Sequence, residues 1–240
     1  MKIVVIGAGG VAEALCRAIE GAEGLTLVQQ FTRKTHVAAE LAAADIYLLA
    51  VSDGAVNQLS LGLPFAPGAV VAHTAGSLPL EAVECEGGGV LYPMQSFTRG
   101  REVDFAEIPI FLEAKSEQVY SRLERLAHAL SHSVQRMDST HRRELHLAAV
   151  FGSNFVNAMY VAAAECAAKA GVGFEIFKPL IAETCRKAIE SSDPRLGQTG
   201  PARRGDIPTQ QRHTEMLGED EKAEIYKLIS KYIWETSKKM

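Results

Sequence analysis

The chain has 240 residues, 47% of them hydrophobic, and a formal net charge of −4. That length suffices for one large domain or two modest ones, each with a core of its own. The mild negative balance excludes the basic surface of a nucleic-acid binder and gives no reason to expect an anionic membrane as partner.

The first twelve residues, MKIVVIGAGGVA, carry the strongest local signal. Ile3 to Ile6 is an apolar run that leads into Gly7-x-Gly9-x-x-Ala12, and the helical pattern AEALCRAIEG follows. A strand, a glycine turn and a helix in that order predict a dinucleotide site. Gly7 permits the tight turn, Gly9 lets backbone approach a pyrophosphate, and Ala12 allows close helix–strand packing. The helix start at Gly10 and Val11 offers free N–H groups to the phosphates.

Further on, Leu25 to Phe31 reads as a second strand and Val37 to Ala44 as a helix. Asp45 to Ser52 and Ala69 to Thr74 read as buried strands, continuous and apolar. Ile108 to Glu113 is another strand, Ser116 to Leu130 an amphipathic helix, and Ser133 to Met137 a last strand. This alternation predicts an α/β fold, a mostly parallel sheet with helices on both faces. The period changes near Asp138. A helix capped by Asp138 or Ser139 runs to about Ala170, and Leu145 to Ala168 is read as its buried, apolar part rather than a membrane span. Phe174 to Glu190 is helical, kinked or restarted at Pro179. Helices capped at Asp206 and starting at Glu221 complete the chain. The expected organisation is a dinucleotide-binding domain over residues 1–137 and a smaller all-α domain over 138–240.

The four cysteines, Cys16, Cys85, Cys166 and Cys185, form no CxxC pair and no zinc pattern, so no metal is expected. Cys16, Cys166 and Cys185 lie in helix-like segments and read as small core residues; Cys85 lies in a polar stretch that reads as exposed. The N-terminal apolar run is short and enters a glycine turn rather than a cleavage site, so a reduced, cytoplasmic setting is the expectation.

The end of the second strand discriminates between dinucleotides. NAD sites place a carboxylate there for the ribose hydroxyls. Here the sequence is Phe31-Thr32-Arg33-Lys34-Thr35, with hydroxyls and two cations. Arg33 suits a 2′-phosphate, which favours NADP(H); the alternative is a solvated basic loop. Val51-Ser52 and His73-Thr74-Ala75-Gly76, each directly after an apolar strand, are expected to border the cofactor. His73 is read either as an acid or base near the nicotinamide or as a strand-end histidine bonded to backbone.

In the long helix, His146, Ser153 and Asn157 project within about 40° of one another at α-helical pitch, with Asn154 roughly 60° further round. Such polar residues in an apolar run either face substrate or build a helix–helix network. The loop Gln198 to Asp206 carries Arg203 and Arg204, and Arg204 either neutralises an anionic substrate or pairs with Asp206. His213 lies one helix segment on and is a candidate proton donor, as is His73.

The chain resembles, through GxGxxA, HTAGS (residues 73–77), LYPMQSF (91–97), HLAAVFGSNFVN (146–157), PLIAET (179–184) and QTGPARRGD (198–206), a group of bacterial Rossmann-like proteins with a helical C-terminal domain of unknown function. It is similar more broadly to the pyrroline-5-carboxylate reductase and 6-phosphogluconate dehydrogenase-like superfamily. The resemblance implies NADP-linked oxidation or reduction in an interdomain cleft and a homodimer built through the helical domain; the residues add the expectation of a small, anionic substrate. The chain departs from both named families: TGPARRGD stands where the proline reductases carry a serine-proline-glycine-glycine-threonine-threonine loop, and the long helix lacks the dehydrogenases' lysine. Asn154, Asn157 and Arg204 are therefore the expected substrate contacts, with His213 or His73 as proton donor. A non-catalytic NADP(H)-binding regulatory or scaffolding protein is the alternative.

Overall fold

The structure is a computed structural model and describes residues 1–32 and 36–238. Packing divides the chain into two units, Met1–Phe155 and Val156–Met240.

The first unit is built on a seven-stranded sheet in the order β2-β1-β3-β4-β5-β6-β7. The strands are β1 (Lys2–Ile6), β2 (Thr26–Phe31), β3 (Ile46–Leu49), β4 (Val70–His73), β5 (Gly88–Pro93), β6 (Ile110–Ala114) and β7 (Val134–Arg136). All neighbours run parallel except β5 and β6. Alternation along the strands feeds two cores. Ile3, Val5, Ile46 and Leu48 face one way, with Leu15 and Ile19 of α1 (Gly10–Gly21) and Leu123 and Leu126 of α3 (Glu117–Leu130). Val4, Ile6, Tyr47 and Leu49 face the other, with Val56 and Leu59 of α2 (Asp53–Gly62). Burial on both faces is why these strands read as continuous apolar runs. Because β2 lies on one side of β1 and β3 on the other, the connections diverge between β1 and β3, the switch point where open α/β sheets bind ligands.

The strand Gly88–Pro93 and helix α2 were not legible as elements. Two glycines open the strand, and α2 is short, with apolar residues at only some of its inward positions. Conversely, the helix expected over Val37 to Ala44 is a single turn, Ala38–Glu40. Its residues are exposed, so no apolar face pulls a longer helix onto the sheet.

Asp138 caps α4 (Ser139–Ala149), accepting from the Thr140 and His141 N–H groups at 2.9 Å each. The strand-to-helix change falls there, but the packing division falls at Phe155, because the start of α4 is fastened to the sheet. Arg142 is fully buried. It donates to Glu113 on β6 and to the Leu78 carbonyl, at 2.5 Å each. Ser139 donates to Glu113 through its N–H and hydroxyl, at 3.0 and 2.7 Å, and accepts from the Leu80 N–H.

After α4 the helix changes pitch. Val150–Phe155 is π-helical, and α5 (Val156–Lys169) resumes the α form. The expectation of a buried apolar helix is overturned. Leu147, Phe151, Phe155 and Val161 are 58, 63, 48 and 53% exposed. By length and composition Ser139–Lys169 is long and apolar enough to cross a membrane, and none of its apolar window is buried. Periodicity reports an apolar run but not what covers it.

The second unit holds α5, α6 (Lys178–Glu190), a short α7 (Pro201–Arg204), α8 (Ile207–Leu217) and α9 (Glu221–Ser237). Pro179 sits in the first turn of α6, where its missing N–H is harmless. Trp234 packs over Gly205, where a Cβ would lie 3.0 Å from the indole. Cys166 and Cys185, expected in the core, are exposed; Cys16 is buried, and Cys85 is half-buried rather than exposed. A small helical unit with a thin core leaves such positions on its surface.

Candidate dinucleotide site at the carboxyl edge of the sheet

The edge is assembled from the ends of β1 to β4. Gly7 has φ of +142°, and a Cβ there would lie 2.0 Å from the Ala50 carbonyl oxygen at the end of β3. No side chain fits, so the turn and the β1–β3 contact depend on glycine. Gly9 differs: a Cβ would meet nothing within 4 Å. The space above it is open, as close approach of a diphosphate requires. Ala12 is fully buried. The first bond of α1 runs from the Glu13 N–H to the Gly9 carbonyl at 3.0 Å, which leaves the N–H groups of Gly10, Val11 and Ala12 without a helix partner. Glu13, the acid in this first turn, is pinned by Arg17 and by the Gly100 N–H. The Gly100 bond and then Arg17 hold its carboxyl below the usual range.

Thr32 follows β2, and its N–H donates to His36 Nδ1 at 3.4 Å. Arg33 and Lys34 lie outside the described residues. Ser52 precedes α2 at its N-cap position, next to Val51. The Thr74 hydroxyl donates to the Leu49 carbonyl at 3.4 Å, which ties the end of β4 to that of β3.

His73 occupies this edge in a different role from proton donor. It is fully buried. Its Nδ1 accepts from the Ala75 N–H and its Nε2 faces the Pro79 carbonyl, both at 3.2 Å. These contacts define the neutral Nε2–H tautomer and leave neither nitrogen for a substrate. Burial, helped by the Arg142 charge, lowers the imidazole from 6.5 to about 4. Between those values the unfolded chain binds a proton that the folded chain refuses. Unfolding free energy therefore falls as pH drops from 6.5 toward 4, by on the order of 3 kcal/mol, and the effect is absent above 6.5. Urea titrations across this range should show that slope, and His73→Asn should flatten it.

The remaining candidates divide between the units. Asn154 lies in the π-helical turn and is exposed; Asn157, on α5, belongs to the second unit, as do Arg204 and His213. A π-helical turn alters the angular step, so the stripe projected from His146 through Ser153 to Asn157 does not continue at α-helical pitch. Asp206 caps α8 by accepting from the Thr209 N–H at 3.2 Å. His213 Nδ1 lies 2.9 Å from the Tyr226 hydroxyl. Both line an apolar hollow of about 400 Å³ with Met159, Cys166 and Ile229. Among the described residues no cluster of His, Cys, Asp or Glu is arranged to hold a metal.

Sequence reasoning missed Tyr92. It is the last residue but one of β5, almost fully buried, and its hydroxyl lies 3.0 Å from His146 Nδ1 on α4. The stretch LYPMQSF drew notice only through resemblance, because a tyrosine in an unrecognised strand has no periodicity to identify it.

The fold agrees with that of known proteins. A family described as Domain of unknown function (DUF2520) matches residues 108–233, and the chain belongs to this family. A Bacteroides fragilis protein provisionally described as an NADP oxidoreductase is 38% identical over 98% of both chains, with a TM-score of 0.88. More distant likeness in fold extends to Plasmodium falciparum pyrroline carboxylate reductase, solved with NADP bound (13% identity, 98% of both chains, TM-score 0.61). It also extends to a reductive aminase from Aspergillus terreus in complex with NADPH (15% identity, 89% of this chain and 77% of that one, TM-score 0.60). A search of curated proteins finds no match.

Proposed function

We propose that this protein is an NADP(H)-dependent oxidoreductase acting on a small, anionic substrate. The observation that carries the reading is the glycine edge at the β1–β3 switch point, open above Gly9, followed at the end of β2 by a sequence with two cations and no carboxylate. The 38%-identical relative described as an NADP oxidoreductase supports it. Gly7, Gly9, Gly10, Val11 and Ala12 would hold the diphosphate, and Thr32 and Arg33 the 2′-phosphate. Val51, Ser52, Thr74 and Gly76 would border the remainder. When bound, the cofactor supplies or takes up a hydride; the protein's contribution is orientation, charge and proton supply. Asn154, Asn157 and Arg204 are proposed as substrate contacts.

Separate titrations with NADPH and NADH test this. NADPH should bind tighter by about tenfold or more, and Arg33→Asp should erase the difference, a change of about 1.4 kcal/mol or more. Equal affinities, unchanged in the variant, would sink the 2′-phosphate argument. Tight NADPH binding with no turnover across a carbonyl and imine panel would assign the regulatory or scaffolding alternative instead.

We also propose that the chain works as a homodimer. The exposed Leu147, Phe151 and Phe155 of the first unit support it. Scattered apolar residues are ordinary on a surface, but a run of this kind marks an interaction face. The mass in solution should be twice that of the chain, and Phe151→Glu should lower it to the single-chain value. A single-chain mass for the unaltered protein would refute the dimer.

A further inference from the structure

His146 belongs to the first unit and meets the sheet through Tyr92. It lies on α4, which Arg142 and Ser139 fasten to β6, so its position is set by the same unit that carries the glycine turn. Its Nδ1 is 3.0 Å from the Tyr92 hydroxyl, and the two rings meet edge to face at 77°, with centroids 5.8 Å apart. Its Nε2 makes no hydrogen bond among the described residues, and the side chain is only half-buried. Gly76, in the loop after β4, closes against the pair: a Cβ there would lie 2.6 Å from His146 Nδ1 and 2.9 Å from the Tyr92 ring. His146 therefore stands beyond the carboxyl ends of β4 and β5. If the adenosine half of a dinucleotide lies over β2, its nicotinamide half crosses the switch point toward this side.

We infer that His146 is the catalytic proton donor of the proposed reduction, with Tyr92 as its positioning residue. This inference rests on the dinucleotide reading above. When a carbonyl or imine carbon has taken up a hydride, the former π pair on its oxygen or nitrogen bonds to a proton. The His146 Nε2–H bond breaks to supply that proton, its electron pair stays on Nε2, and solvent water reprotonates the imidazole. Tyr92 can accept from Nδ1–H of the imidazolium that gives up the proton and from Nδ1–H of the neutral ring left after transfer, so it holds the ring in both states. Burial raises the phenol above its ordinary range, so it remains a hydroxyl throughout. His73, at the end of β4, has both ring nitrogens bonded to backbone and cannot take this role.

The test uses diethyl pyrocarbonate, which acylates accessible neutral imidazoles, with modification mapped by peptide mass. The intact protein is saturated in turn with NADP⁺ and with 2′,5′-ADP, which lacks the nicotinamide half. The expected result is about tenfold slower modification of His146 with NADP⁺ and little change with 2′,5′-ADP. Binding of both nucleotides without that differential protection overturns this inference and leaves the cofactor reading standing; binding of neither overturns both. With any carbonyl or imine that the enzyme turns over, His146→Gln should lower kcat about a hundredfold or more at unchanged NADPH affinity. Tyr92→Phe should lower kcat with KM unchanged. Loss with His213→Gln but not with His146→Gln transfers the role to the second unit and overturns the assignment.

Discussion

Arg142→Ala should lower the unfolding free energy of the first unit by about 3–5 kcal/mol, the range expected when one partner of a buried ion pair is removed. Arg142 has no exposed surface, and Glu113 is only 17% exposed. Truncation leaves the Glu113 carboxylate buried with Ser139 as its remaining partner and strips the Leu78 carbonyl of its donor. The double variant Arg142→Leu with Glu113→Leu removes both charges and should be less damaged than Arg142→Ala alone, because no buried charge is left unpaired. The exposed pair Arg136–Glu117 gives the contrast: solvent screens it, so Glu117→Ala should cost far less than Arg142→Ala. Trp234, the single tryptophan, lies in the second unit. Hydrogen exchange at the amides of β4, β5 and β6 in urea, mapped by peptide mass, is therefore the measurement for the first unit. A loss below about 1 kcal/mol for Arg142→Ala would show that α4 is not held by this pair.

Gly9→Glu should weaken NADPH binding by about a hundredfold or more, some 2.7 kcal/mol, while the protein remains folded. A Cβ at Gly9 would meet nothing within 4 Å, so the backbone accepts a side chain there. The same space is where a diphosphate would approach, and a carboxylate there adds like-charge repulsion to the lost volume. Gly7→Ala should do the reverse first. Its Cβ would lie 2.0 Å from the Ala50 carbonyl oxygen at a φ of +142°, so β1 and β3 must separate and stability falls along with binding. Calorimetric titration with NADPH, paired with a thermal melt, separates the two. Full NADPH affinity in a folded Gly9→Glu protein would move the cofactor away from this turn.

The two glycines show how far the motif alone reaches. Gly7 and Gly9 stand two residues apart in one pattern, and the pattern assigns them distinct roles. Those roles then appear as a collision at one position and open space at the other. The same holds for β1, β3 and β4, whose apolar runs are long enough to be recognised and are buried on both faces. It holds too for Asp138 and Asp206, whose capping chemistry is local and needs only the next few residues.

The residues around His146 were not legible in this way. Arg142 and His146 stand four apart on α4 and face the sheet, yet the strand end that meets His146 belongs to β5, opened by two glycines that carry no strand signal. The contacts span 54 residues for Tyr92–His146 and 29 for Arg142–Glu113, distances at which no periodicity operates. The angular stripe through Ser153 and Asn157 presumed a uniform α-helix, and the π-helical turn at Val150–Phe155 alters the step.

Sequence by itself determined the parallel sheet, the glycine turn, the absence of a carboxylate after β2 and the helical character of the second half. These follow from steric limits, short-range hydrogen bonding and the 2.0- and 3.6-residue periods, all of which act within one segment. Tertiary structure alone decided that His73 is sealed and neutral, that His146 is held beside Tyr92 and that the apolar helix lies exposed. Each of these depends on what packs against a residue from a distant part of the chain. Burial, tautomer and surface are properties of the assembled unit rather than of any segment within it.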